Sequence, residues 1–282
     1  MAYTDVRHRA VRCSRRPAIL IVALAVLAGC TTTASAPTAS GGIDRLRARG
    51  VLVVGTAASM PPLNMATKRG EIIGLDVDLA RAMAEALGVK LRLQTMPFPD
   101  LLPALEAGRI DAIISSMTIT PERSRRATFV GPYFVSGKSF LTKASNLASV
   151  RGPAELNQPS VRLAALRAST SQSFVEQNMP RAELVLIQTY DEGIELVTRD
   201  QVDAMVADFP VCVFSVFRYP DRRFYSLVSP FTQEPLGIAL PRNDPALESW
   251  TQNWLQGLEA SGALARMRDR WFKDPSWLSE LP

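Results

Sequence analysis

Histidine is almost missing from this sequence of 282 residues, and the one example, His8, stands before the first long apolar run. Cysteine is nearly as scarce, with Cys13, Cys30 and Cys212 far apart. A domain built from the later part of the chain therefore cannot assemble a Ser-His-Asp or Cys-His catalytic set. It also has no Cys or His cluster to hold zinc, so most hydrolytic chemistries are excluded and no metal or cofactor is expected. A lasting excess of one charge sign is lacking too. The net charge is +5, but residues 1 to 29 hold five arginines against one acid, and beyond them 27 basic residues face 26 acidic ones, a net of +1. The basic balance belongs to that opening segment, which removes a nucleic-acid partner from consideration. Long apolar runs are absent as well: Ala18 to Ala28 is eleven residues, too short to cross a bilayer comfortably.

An arginine-rich start (Arg7, Arg9, Arg12, Arg15, Arg16) followed by that apolar run reads as an export signal. It closes on Leu27-Ala28-Gly29-Cys30, which resembles the bacterial lipobox, in which the cysteine is lipidated and becomes the mature N-terminus. Residues 1–29 are thus expected to be a lipoprotein signal peptide, with Cys30 the lipid anchor to a membrane. Residues 30–42, rich in Thr, Ala, Ser, Pro and Gly, are expected to be a flexible tether. Ser14-Arg15-Arg16 also resembles a twin-arginine signal, but adjacent arginines carry little information in so basic a stretch. With Cys13 removed and Cys30 acylated, only Cys212 keeps a thiol, so no internal disulfide forms. Within Val211-Cys212-Val213-Phe214 it reads as a small core residue.

The remainder, in a chain that is 47% hydrophobic, has material for two domains. Val51 to Gly55 is a short strand, followed by a proline-bearing loop, Ala57 to Pro62. A helix is expected over about 76–87, where Val77, Ala80, Met83, Ala84 and Leu87 share a face and Gly88 supplies the stop. Asp76 and Asp78 at its start complement the dipole and read as structural. A strand through Val89, Leu91 and Leu93, a helix from Asp100 to Ala107 and a strand from Ile110 to Ile114 complete a β-α-β-α-β order. That order implies a largely parallel sheet with right-handed crossovers. Gly131-Pro132-Tyr133 is expected to break the pattern. A second unit then repeats the first: strand 161–166, helix 169–179, strand 184–187, helix 191–199, strand 202–207. Gly237 to Leu240 and a helical tail with Trp250, Trp254 and Leu258 are expected to return to the first unit. The chain thus crosses twice, near 135–139 and 231–236, and those crossings form a natural hinge.

Where the third strand ends, Ser115-Ser116-Met117-Thr118-Ile119-Thr120-Pro121-Glu122-Arg123 gathers hydroxyls and an arginine beyond a strand's carboxyl end, where α/β sheets hold ligands. Arg123 offers a planar fork for a carboxylate. The alternative is a plain helix start, with Thr120 as cap, Pro121 in the first turn and Arg123 solvated, and the residues alone leave both open. In the register of the repeat Ser116 falls on Asp208, so a hydroxyl closes one strand and a carboxylate the other. The helix start at Ala168-Ser169-Thr170 adds free N–H groups that favour an anion, with Ser169 as a cap in either case.

Together the stretches Val53-Val54-Gly55-Thr56, Gly74 to Ala80, Leu102 to Gly108, Ile110-Asp111-Ala112, Met117 to Thr120 with Glu122-Arg123, and Pro132-Tyr133 resemble the family 3 extracellular solute-binding proteins. These are the polar amino-acid receptors of bacterial ABC importers, and the likeness covers roughly residues 43 to 273. It implies a periplasmic-binding-protein-like α/β fold: two lobes with mostly parallel sheets, joined by two hinge strands. The lobes are expected at 43–137 plus 232–282 and at 138–231. By the same resemblance Arg123 grips the ligand α-carboxylate with the backbone N–H of Thr170, and Ser116, Thr118 and Asp208 receive the α-ammonium. Phe98 matches an aromatic of the side-chain pocket. Where the family often carries an acid and then an aromatic, this chain has Ala57 and Met60, which favours a neutral ligand because a buried cation needs a partner. Ala168 replaces a usual glycine.

The resulting expectation is a periplasm-facing, lipid-anchored monomer that binds an L-amino acid for an ABC permease and is not an enzyme. A cyclohexadienyl dehydratase on the same scaffold is the alternative, as is a sensor for a separate signalling partner. The dehydratase would need a general acid or base in the cleft, and Asp208 is the one acid the sequence places there.

Overall fold

Alternating apolar runs and amphipathic helices from Val51 onward give the expected order of elements. The computed structural model describes residues 41–145, 147 and 150–282. The expected signal peptide, Cys30 and the tether up to residue 40 lie outside the described residues. Gly42, assigned to the tether, already opens helix α1 (Gly42–Arg49), whose end is set by left-handed Gly50. Strand β1 (Val51–Thr56) follows, then the short β2 (Ser59–Met60), β3 (Asn64–Ala66) and β4 (Ile72–Ile73), which pair antiparallel with one another. Helix α2 (Leu75–Leu87) buries Val77, Ala80, Met83, Ala84 and Leu87 as its spacing requires. Gly88, at φ 72°, closes it by donating to the carbonyls of Ala84 and Glu85. Strand β5 (Lys90–Thr95) leads to a 3₁₀ turn, Phe98–Asp100, and to α3 (Leu101–Glu106). Strand β6 (Ala112–Ile113) is shorter than expected, although the amides of Asp111 and Ile114 extend its bonding to Val53 and Gly55 of β1.

After α4 (Pro121–Ser124) the chain enters β7 (Thr128–Ser136). Gly131-Pro132-Tyr133 lie inside this strand and do interrupt its pairing: the register against β13 shifts between the Val130–Ile238 and Phe134–Leu236 pairs, an irregularity that falls on these three residues. As the last strand of its sheet β7 leaves one side unpaired, which is where a proline is tolerated. Strand β8 (Lys138–Thr142) then starts a second sheet. It is followed by β9 (Arg162–Leu166), α5 (Thr170–Asn178), β10 (Glu183–Ile187), α6 (Tyr190–Thr198), β11 (Ala204–Asp208), α7 (Phe209–Arg218) and β12 (Tyr225–Ser226). Strand β13 (Glu234–Leu240) returns to the first sheet, and α8 (Pro245–Ala260) and α9 (Ala263–Phe272) complete the tail.

The first sheet has the order β5-β1-β6-β13-β7 and the second β10-β9-β11-β8-β12. In each, the first three strands run parallel, the fourth (β13 or β8) runs against them, and the fifth, antiparallel to the fourth, runs with the first three again. The similarity between residues 108–115 and 200–207 thus extends to topology: β6 and β11 hold equivalent central positions in two α/β lobes. Crossing between sheets is what makes them mixed, since β8 and β13 are the strands on the far side of each crossing.

The two crossings lie side by side. Phe231 donates to the Lys138 carbonyl at 2.8 Å, and the Lys138 amide donates to Thr232 Oγ1 at 2.9 Å. Gly137, between β7 and β8, has no space for a side chain: a Cβ there would collide with the Thr232 carbonyl oxygen and Pro230. The tail packs on the first lobe, where Trp271 Nε1 donates to Asp78 at 2.8 Å and Arg268 donates to the Tyr133 carbonyl at 2.7 Å. Its last part also reaches α7, with the rings of Phe214 and Trp277 4.9 Å apart. Trp250 and Trp254 stack on each other along α8, as packing residues do.

Substituting Gly137→Ala is expected to destabilise the protein by about 1–3 kcal/mol, because backbone rather than a mobile side chain must give way. A urea unfolding curve checks this, and an unchanged midpoint would mean that the two crossings separate without cost.

Candidate functional site

Thr120 caps α4 by accepting from the Arg123 amide at 3.2 Å, so the helix-start reading of this stretch is correct. Arg123 is nevertheless not solvated. With 7% exposure its guanidinium lies between the two lobes, donating from Nη1 to the Thr118 carbonyl and from Nη2 to the Ala168 carbonyl, each at 3.1 Å. Phe98 covers it, the ring centroid lying 5.4 Å from Cζ. Burial pushes the pKa of this guanidinium down, and the nearby Asp208, Glu234 and Glu122 oppose the shift. It stays charged because an arginine is never deprotonated in a protein.

Around Arg123 opens a cavity of about 1050 Å³ whose walls come from both lobes. Thr118, Phe98 and Arg123 face Ala168, Ser169 and Thr170, and the second crossing, Thr232 to Pro235, contributes to the lining. The hydroxyls of Thr118 and Thr170 are 3.4 Å apart across the gap. Ser169 spends its hydroxyl on the fold, accepting from the amides of Ser171 and Gln172 and donating to the Leu166 carbonyl. Ala168 takes φ 55°, the left-handed region where glycine is favoured, and this turns its carbonyl to Arg123.

Three of the sequence-derived site residues lie outside that lining. Ser116 donates to Asp76 at 2.8 Å, accepts from Asn64 at 3.2 Å, and donates its amide to Tyr133 at 3.1 Å. Its hydroxyl serves a buried network under the site. Met60 is 4% exposed and belongs to the core. Asp208 accepts from Lys138 at 2.9 Å, from Ser136 at 3.5 Å and from Tyr190 at 3.4 Å.

Lys138, Tyr190 and Glu234 are the residues that sequence reading missed. Lys138 has no exposed surface and is also 3.9 Å from Glu234. A lone lysine opening the strand Ser139-Phe140-Leu141 was a usable signal, because a charge in an apolar strand needs a buried partner. Burial and the Asp208 carboxylate push the Tyr190 hydroxyl pKa well up, so it remains a donor. Cys212 is fully buried, and burial raises its thiol pKa, as suits a core residue. Among the described residues no cluster of three or more His, Cys, Asp or Glu side chains is arranged to hold a metal.

Two mixed α/β lobes joined by a double crossing, with a polar cavity between them, define the solute-binding-protein class. More narrowly, the chain belongs to the bacterial extracellular solute-binding proteins, family 3, whose model matches residues 52–274. It is 28% identical over 254 residues to the cyclohexadienyl dehydratase of Pseudomonas aeruginosa, covering 90% of this chain and 94% of that one. It is 29% identical over 232 residues to the L-arginine-binding protein of the same organism, covering 78% and 86%. Among solved structures it is similar to a putative ABC-transporter binding component from Wolinella succinogenes complexed with lysine. The TM-score there is 0.78 at 34% identity, over 82% of this chain and 99% of that one.

Asp76 sets a pH dependence. Burial lifts its carboxyl from 3.8 to about 6, against hydrogen bonds from Asn64, Tyr133 and Ser116 that pull it down. The folded chain then holds this proton more tightly than the unfolded one. The stabilisation is complete below the unfolded pKa and is lost as pH rises through about 6. Replacement Asp76→Asn should remove this term. The stability of the natural chain relative to the variant is therefore expected to fall by up to about 3 kcal/mol between roughly pH 4 and pH 7, as read from urea unfolding at each pH. A difference that does not change with pH would show that Asp76 ionises normally.

Proposed function

We propose that the protein is the receptor of an amino-acid importer, taking one L-amino acid into the cavity between its lobes and closing on it for delivery to an ABC permease in the inner membrane. The observation that carries this reading is the buried guanidinium of Arg123, whose acceptors are two neutral carbonyls, one from each lobe. A ligand carboxylate gives such a fork two charge-assisted bonds, which are stronger than those to carbonyls. Thr118 and the N-terminal turn of α5 at Thr170 stand beside it, and Phe98 offers an apolar face to the side chain. Contacts from both lobes favour the closed arrangement, because only a ligand with more contacts in one state shifts the population towards it.

On this reading residues 43–137 with 232–282 form one lobe and 138–231 the other. The chain is exported and held to the membrane through Cys30, and it acts as a monomer. Ala57 and the core residue Met60 stand where the resemblance leads one to expect an acid and an aromatic, and the missing acid supports a neutral amino acid over the cationic ones bound by the relatives from Pseudomonas and Wolinella.

The identity with cyclohexadienyl dehydratase supports a second reading, an enzyme on the same scaffold. Glu234 in the cavity lining is the acid such chemistry would use. Conversion of prephenate or arogenate by the purified protein would establish it, and a receptor leaves both unchanged.

Arg123→Ala is expected to weaken binding of the preferred amino acid by at least ~2 kcal/mol, roughly thirtyfold. Calorimetry reads the change directly, and equal affinities would remove Arg123 from the site.

A further inference from the structure

Two carboxylates, Asp208 and Glu234, stand near Arg123, and one buried lysine stands between them. Lys138 and Asp208 are directly opposite on the antiparallel strands β8 and β11, so their side chains share one face of one sheet. Oδ1 of Asp208 accepts from Lys138 and Ser136, and Oδ2 from Tyr190. Withdrawing Asp208 from this arrangement would leave the Lys138 ammonium buried without its partner, the most costly state for a charge inside a protein. The pair also belongs to a single lobe, so a change in lobe separation does not free it.

Glu234 is placed differently. It begins β13 at the second crossing and lines the same cavity as Arg123, Thr118 and Thr170. One oxygen accepts from Thr232 at 3.2 Å, and the other is 3.9 Å from Lys138, beyond hydrogen-bond length. The cavity's other acids, Glu122 and Glu176, are exposed residues at its rim. With Lys138 committed to Asp208, Glu234 is the surplus negative charge that faces the space beside Arg123. The four groups together sum to zero, which matches a zwitterion.

From this we infer that Glu234, and not Asp208, is the anionic partner of the ligand's α-ammonium, and that Lys138 makes the division by holding Asp208 within the second sheet. The inference rests on the amino-acid receptor reading.

A thermal-shift panel of the twenty L-amino acids selects the strongest binder, which then enters calorimetry beside its 2-hydroxy-acid counterpart, alike except for the ammonium. Three proteins are compared: the natural chain, Glu234→Gln, and the double variant Lys138→Met with Asp208→Asn, which removes both charges of the cross-strand pair together. Glu234→Gln should weaken the amino acid about thirtyfold or more and the hydroxy acid by less than about threefold. The double variant should keep the amino acid within about threefold, since the surplus charge is untouched. Full affinity in Glu234→Gln, or loss of the amino acid in the double variant, overturns the inference while the receptor reading stands. A panel in which no amino acid raises the melting temperature overturns both. Melting curves verify folding, and because each variant tests the assignment separately, either one alone decides it.

Discussion

A guanidinium taken out of water must find acceptors, and in this molecule the requirement is met from two directions at once. Arg123 hangs from the Thr118 carbonyl of its own lobe and reaches the Ala168 carbonyl of the other. Much of the surrounding structure serves that placement. Thr120 and Pro121 start the short helix that carries the arginine, Phe98 shields it, and Ala168 accepts a left-handed backbone so that its oxygen points inward. Beneath it the turn at Ser116, also left-handed at φ 53°, is held by Asp76, Asn64 and Tyr133. The buried Asp76 therefore acts through the floor of the site without lining it.

Much of the fold was legible in the sequence, because the signals were local and periodic. The apolar face of α2, its stop at Gly88 and the strand-helix alternation of both lobes follow from side-chain spacing and glycine chemistry. The likeness of Gly108–Ser115 to Asp200–Ala207 anticipated the matching sheets. What remained hidden was pairing between distant strands. Pro132 marks a real irregularity in the pairing of β7 with β13, but nothing local reveals that the strand continues past it at the edge of the sheet. Ser116 and Asp208 ended equivalent strands and so looked equally available. The register of β8 against β11 shows that Lys138 faces Asp208, and the packing of α2 shows that Asp76 takes the Ser116 hydroxyl.

The site residues divide along the same line. Arg123, Thr118, Thr170 and Phe98 lie in or beside continuous motifs and come together around one cavity. Glu234 belongs to no motif. It arrives from a strand more than a hundred residues later in the chain, at the point where the two crossings touch. Family membership and similarity to both a binding protein and a dehydratase are compatible with this layout, since one scaffold can carry different sites.

The buried pair of Lys138 and Asp208 has a further consequence. Facing residues on neighbouring strands are brought together when the sheet forms, so these two ions are stripped of water once, in folding. Repeated rounds of capture and release do not hydrate and dehydrate them again. The charges left to exchange water for a guest are then those bordering the cavity.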